Sequence, residues 1–150
     1  MSEVIPTVDN DFVTHCISEY DSVFIHGSHD AAAEARLRLV WALVHSTNLK
    51  HALRGRDLAM ECLKNGTESY MKDYKFLAAV GSYRTKNYVQ ARREACSLLE
   101  EYPDFRQAEH LKECIDDAIV REGLQGLGIA AAVAGVAGLV LTLAFSGGRK

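Results

Sequence analysis

Proline occurs only twice in the chain and strand signals are missing. With long runs rich in Ala, Leu, Glu, Lys and Arg, that leaves helix as the material of the body. Cysteine appears at four scattered positions, Cys16, Cys62, Cys96 and Cys114, with no CxxC pair. Each falls within an apolar helical pattern, so the four read as small buried hydrophobes in a reducing compartment, not as a disulfide or zinc framework. The net charge is −3 with the signs interspersed. Without a clustered basic face there is no surface to neutralise phosphates, which excludes nucleic acid as a partner. The opening "MSEVIPTVDNDF" has neither a basic start nor an apolar core. It is therefore neither a secretory signal nor an Arg-rich transit peptide, and the body is expected in the cytosol. GxGxxG and GxxxxGK[ST] are absent, and no nucleophile motif accompanies the Ser, His and Asp residues. His26 and His29 in "HGSH" lack the further cysteines or clustered carboxylates of a metal site and read as a polar helix connection. No enzyme activity, cofactor, metal or small-molecule substrate is expected.

What the chain has in excess lies at its far end, in "LGIAAAVAGVAGLVLTLAF", Leu127 to Phe145. Across residues 124–145 the only polar side chains are Gln125 and Thr142. As helix, that stretch spans about 33 Å, matching a hydrocarbon core of about 30 Å. A transmembrane helix is expected there, followed by a short basic tail, residues 146–150, with Arg149 and Lys150 as the targeting charges. A helix so near the end is still inside the ribosome when synthesis stops, so it reads as a tail anchor with the body facing the cytosol. Arg121 before the segment and Arg149 with Lys150 after it leave the positive-inside rule silent. Small residues recur at four-residue spacing, Gly128 with Ala132, Ala131 with Gly135, and Ala134 with Gly138. Two such helices can approach closely, so a homo-oligomer through the tail is one expectation.

At 150 residues the chain has room for one modest domain plus this appendage. Residues 1–8 read as a flexible arm and 9–122 as a helical domain. Asp9 or Asn10 caps a first helix reaching about Ile25, with Phe12, Cys16, Ile17, Tyr20, Val23 and Phe24 on its apolar face. Asp30 is expected to cap a second helix, to about Ser46. On it Leu37, Val40, Trp41 and Val44 form one stripe and Leu39, Ala42 and Leu43 another, so neighbours flank it on both sides. Four more helices follow, at about 51–64, 69–85, 88–102 and 104–122. The last turns Ala108, Leu111, Ile115, Ala118 and Ile119 inward, and Gly123 separates it from the anchor. Short connections predict antiparallel hairpins.

In "LAAVGSYRTKNYVQARREACSLLEEYP", Ala79, Tyr88, Ala91 and Pro103 fall at offsets resembling a tetratricopeptide repeat. Ala79 and Ala91 would sit where the two helices cross, and Pro103 would stop the second. In an earlier copy Gly55 takes the place of Ala91. Two repeats alone leave apolar ends, which the first and sixth helices should cover. The expected fold is all-α: a six-helix bundle containing two tetratricopeptide-like hairpins, then a single C-terminal transmembrane helix.

Three stretches, "WALVHS" (41–46), "DYKFLAAVGSYRTKNYVQAR" (73–92) and "REGLQGLGIA" (121–130), run in an order and spacing that resembles the mitochondrial fission 1 protein family. The resemblance implies a tail-anchored cytosolic adaptor of the outer mitochondrial and peroxisomal membranes. Such an adaptor helps bring a dynamin-related GTPase, directly or through an intermediary adaptor protein, to the place where the organelle divides.

Stacked repeat hairpins curve, and the first helix of each repeat lines the concave side. Counting from Ala91 places Asp73, Phe76, Val80, Tyr83 and Arg84 inward, and counting from Gly55 adds Leu37, Val40, Val44, Thr47 and Asn48. The expected partner groove is Leu37, Val40, Val44, Phe76, Val80, Tyr83 and Arg84, suited to an amphipathic helix. Phe76, Tyr83 and Arg84 are the favoured contacts, since aromatic and Arg side chains dominate interface energetics. The resemblance also implies an arm that lies across the groove and competes with the partner. The alternative function is a membrane-active regulator or tether, of pore or survival type, acting through the tail helix. It predicts activity retained by the anchor alone.

Overall fold

Three polar side chains start the first three helices of the computed structural model, which describes residues 5–65 and 68–123. Asp9 accepts the Phe12 amide at 2.8 Å and opens α1, Asn10–His26. Ser28 accepts the Ala31 amide at 3.2 Å and opens α2, His29–His45. Asn48 accepts the Lys50 amide at 2.9 Å and opens α3, Leu49–Lys64. Each satisfies a backbone donor that a helix start would leave orphaned. A 3-10 turn, Glu68–Tyr70, leads into α4, Met71–Arg84. Asn87 then caps α5, Tyr88–Glu101, and α6 runs from Arg106 to Gly123. Ser28, two residues ahead of the expected Asp30, is the cap of α2, because its hydroxyl reaches an amide three residues on. Gly123 is the last residue of α6 and not a separator beyond it.

The architecture among the described residues is all-α, with six α-helices and no strand. Successive helices pack pairwise, and α4 lies against α2, α3, α5 and α6. That central place follows from "LAAVGS": Leu77 to Ser82 are buried without a break, which small side chains allow on every side of one helix. α2 separates two clusters. Leu39, Ala42 and Leu43 join Val13 and Cys16 of α1 on one side, while Val40 and Val44 join α4 and α6 on the other. The two-sided burial expected of α2 is therefore present.

Glycines set the closest crossings. A Cβ on Gly55 would stand 2.8 Å from the Leu43 Cβ and 2.9 Å from the Val44 amide nitrogen, so α3 touches α2 backbone to backbone. A Cβ on Gly81 would stand 2.6 Å from the Arg56 Cβ, so α4 approaches α3 as closely from the other side. Ala79 and Ala91 are wholly buried, and α5 ends at Glu101 ahead of Pro103. α4 itself ends in a left-handed turn. Lys86, at φ 59°, donates its amide to Tyr83 and lets Asn87 reach back to Ser82 at 2.9 Å.

The far end of α6 is fastened to the start of α5. Glu122 accepts from the Tyr88 hydroxyl at 2.8 Å and from Lys86 Nζ at 3.2 Å. Midway along, Asp116 takes Arg92 at 2.7 Å and Lys112 at 3.0 Å.

Two expectations are corrected. α1 buries Val13 and Cys16, whereas Phe12 and Phe24 are 39% and 63% exposed. Among the described residues only α2 packs firmly against α1, so its covered stripe is narrower than its apolar pattern. The arm is not all outside the core either: Ile5 is buried in the same cluster as Val40, Val44 and Val80, and Val8 forms a parallel bridge with Ser46. The expected transmembrane helix at 124–145, the tail 146–150 and the charges Arg149 and Lys150 lie outside the described residues.

Candidate partner groove

α2, α4 and the first turns of α6 form three sides of a hollow of about 480 Å3. α2 contributes Trp41 and His45 four residues apart, hence on one face, α4 contributes Phe76, and α6 contributes Arg106 and His110. The fourth side is the chain's own N-terminal strap, Ile5 and Pro6. Aromatic contacts stiffen the walls. Trp41 stacks on His45 at 4.3 Å and takes Phe12 edge-on at 6.2 Å, while Phe76 leans on Phe105 at 5.3 Å. Lys72 Nζ sits 4.1 Å over the Phe105 ring.

Main-chain groups and one side chain seat the strap. Arg84 donates from one Nη to the carbonyl of Ile5 at 2.9 Å and to that of Pro6 at 2.6 Å. The Val8 amide donates to the His45 carbonyl at 2.9 Å. Between these points the Ile5 side chain is only 6% exposed.

The electrostatics are one-sided. Burial lowers the proton affinity of Arg84, and no carboxylate among the described residues pairs with it. Its Nε has no hydrogen-bond partner among them. His45 is pushed below the usual histidine pKa by burial and secondarily by Arg84, against the opposing pull of its 2.8 Å contact with the Trp41 carbonyl. The hollow thus has on its wall an imidazole whose proton affinity is lowered, and the strap that closes it is held by a guanidinium bonded to carbonyl oxygens.

Of the seven groove residues expected from repeat counting, Phe76 lines the hollow and Arg84 grips the strap. Val40, Val44 and Val80 are fully buried in the core cluster that also takes Ile5, and Leu37 packs against the same cluster. The three valines have no open surface of their own. Tyr83 turns the other way, its ring 5.9 Å from Tyr88, near the end of α6. Burial, foremost, raises its hydroxyl pKa. Asn48 caps α3, while Thr47 and Asp73 are exposed. Trp41, His45, Arg106 and His110 were missed as site residues. The i, i+4 pair Trp41 and His45 was readable on the α2 stripe, but counting settled one step round the helix at Val40 and Val44. Treating α6 as an end cover hid the wall it makes.

Residues 72–124 match the family model of the Fis1 C-terminal tetratricopeptide repeat. Mitochondrial fission 1 protein A of Arabidopsis thaliana is 35% identical over 140 residues, covering 93% of this chain and 82% of that protein. The mitochondrial fission 1 protein of Mus musculus is 39% identical over 104 residues, covering 67% of this chain and 68% of that one. Among solved structures, yeast Fis1 in complex with an Mdv1 fragment containing N-terminal extension and coiled-coil domains superposes with a TM-score of 0.65. The overlap covers 79% of this chain and 90% of that one at 21% identity, a likeness of fold.

Proposed function

Because the chain belongs to the mitochondrial fission 1 protein family, we propose that it is a non-enzymatic adaptor of organelle division. It recruits a dynamin-related GTPase, directly or through an intermediary adaptor, to the outer membranes of mitochondria and peroxisomes. The single observation that carries this reading is the hollow between α2, α4 and α6, closed on its fourth side by a strap that Arg84, with no carboxylate partner among the described residues, holds by two carbonyls. A concave apolar surface with one desolvated cation and aromatic walls is built to hold a protein segment. The yeast relative solved with an Mdv1 fragment supports a partner of that kind. Residues 124–145 supply the membrane address and Arg149 with Lys150 its targeting charges. The strap over the groove acts as a competitor that a partner must displace.

The test is recruitment in cells. Full-length chain carrying Phe76→Ala with Arg84→Gln, shown to fold by circular dichroism, should reach the organelle yet fail to bring the GTPase or its adaptor. Exchange of residues 124–150 for an unrelated outer-membrane anchor should preserve recruitment. Equal recruitment by the groove variant, or activity of the anchor alone, would refute the reading and favour the membrane-active alternative.

A further inference from the structure

Each helix from α2 to α6 runs antiparallel to the next, which sorts their termini into two ends. Gly55 lies against Leu43 and Val44, Gly81 against Arg56, Lys75 pairs with Glu101, and Tyr88 with Glu122. The last turns of α2, α4 and α6 therefore share one end of the domain with the first turns of α3 and α5. Leu124, where the long apolar stretch begins, follows directly on Gly123 of α6, so this is the end nearest the proposed anchor.

Exposed aliphatic side chains gather there. Leu49 opens α3 and is 56% exposed, Val89 is the second residue of α5, and Val120 lies in the last turn of α6, all of them open to solvent. Helical side chains lean towards the start of their helix, so Leu49 and Val89 lean outward at this end. Lys50, Lys86 and Arg121 are exposed close to them in the chain.

Acidic side chains favour helix starts, where they oppose the positive end of the helix dipole. α2, α4 and α6 start at the opposite end and follow that rule, with Asp30, Asp73 and Glu109 in their first turns. α3 and α5 start at the anchor end and hold no acidic residue in theirs. The carboxylates at this end among the described residues are Asp9 and Asp11, where α1 starts on the side of α2 away from α6, and Glu122. Glu122 is already tied to Lys86 and Tyr88. An aliphatic rim among cations, with two helix starts left positive, complements an anionic lipid surface: aliphatic side chains bury at the headgroup boundary and Lys and Arg are drawn to the phosphates. We propose that the domain stands on the membrane by this end, with Leu49, Val89 and Val120 at the headgroup boundary and Lys50, Lys86 and Arg121 on anionic lipid headgroups. The inference rests on the reading of residues 124–145 as an anchor and adds a second contact with the same bilayer. In this posture α2, α4 and α6 rise from the membrane and the hollow between them opens sideways, along the bilayer surface.

The experiment uses purified full-length chain in nanodiscs of phosphatidylcholine with phosphatidylinositol, some headgroups carrying gadolinium, and reads the broadening of amide NMR signals. Leu49 and Lys50 decide it, because their turn is separated from α6 by α4 and comes near the bilayer only when the domain is seated. Their amides should broaden as strongly as that of Lys86, and those of Asp30, Asp73 and Gln107 at the opposite end should stay sharp. Leu49→Asp with Val89→Asp puts aspartate at two helix starts that favour it, so the fold is kept, and should lower the ratio of seated to free domain about tenfold. Ile25→Asp, at the opposite end and as exposed, should change nothing. In nanodiscs of phosphatidylcholine alone the broadening at Lys50 should weaken severalfold. Broadening at Lys50 that survives the double substitution, is equally lost in Ile25→Asp, or is indifferent to lipid charge would each overturn the proposal. Broadening at Gly123 without any at Leu49 and Lys50 removes the seated posture alone. Sharp signals throughout, Gly123 included, remove the anchor reading as well.

Discussion

Replacing Arg84 with methionine should loosen the strap about tenfold while leaving the helical domain intact. The side chain's stem and much of its volume are kept, so packing against α4's neighbours changes little. What is lost is one charged nitrogen donating to Ile5 and Pro6 at 2.9 and 2.6 Å. Hydrogen bonds from charged groups contribute about 1.5–3 kcal/mol each, but both arise from one nitrogen. Removal also ends the cost of holding a guanidinium out of water, and the exposed Pro6 carbonyl regains solvent. A net loss of about 1.5 kcal/mol remains, close to a tenfold change in an equilibrium constant. Native-state hydrogen exchange reads it directly, because the Val8 amide is bonded to the His45 carbonyl only while the strap is seated. The Val8 amide should exchange about tenfold faster in Arg84→Met, with α4 and α6 core amides unchanged. An unchanged Val8 rate would refute the role given to Arg84, and equal acceleration of the core amides would show the strap to be inseparable from the fold.

Other consequences are equally measurable. Gly81→Ala forces a Cβ to 2.6 Å from the Arg56 Cβ, and overpacking of about 1–3 kcal/mol outweighs a helix-propensity gain of about 1 kcal/mol. The melting temperature should fall by several degrees, and an unshifted melt would mean α3 and α4 part without strain. Lys86→Gly relieves a left-handed backbone at φ 59° and should raise stability by about 0.5–1 kcal/mol in denaturant titrations; a loss would contradict the turn geometry. His45 is held below its ordinary pKa by burial, so the unfolded chain takes the proton first as pH falls. Its contribution is full above about pH 6.5 and is lost progressively below it, until the folded-state value is passed. Denaturant midpoints from pH 8 to 5 should decline less steeply in His45→Gln, and an identical slope would assign the pH dependence elsewhere.

Much of the fold was legible because the chain states it locally. Pro103 stops a helix, Asp9 starts one, and apolar residues three and four apart gave α2 and α6 their buried faces. Phe24 deceived because periodicity reports a face without saying how far a neighbour extends along it. Gly81 passed unnoticed beside Ala79, since closeness to Arg56 is a property of α3's path and not of the local pattern. The groove was half legible for the same reason. Phe76 and Arg84 follow from repeat positions on one helix, whereas the strap across Ile5 and the α6 wall depend on contacts between elements far apart in the chain and in no repeat.

The fastening of α6 bears on mechanical load. With residues 124–145 held in a membrane as proposed and a partner pulling at the groove, tension enters the domain through the last turn of α6, where Glu122 is tied to Tyr88 and Lys86. Ala118, Ile115, Leu111 and Ala108 lie behind that tie along the whole helix. Under the proposed function, force directed along α6 therefore has to slide every one of those buried contacts at once and cannot peel them one by one, which would make this helix a stiff tow-bar between a recruited partner and the bilayer.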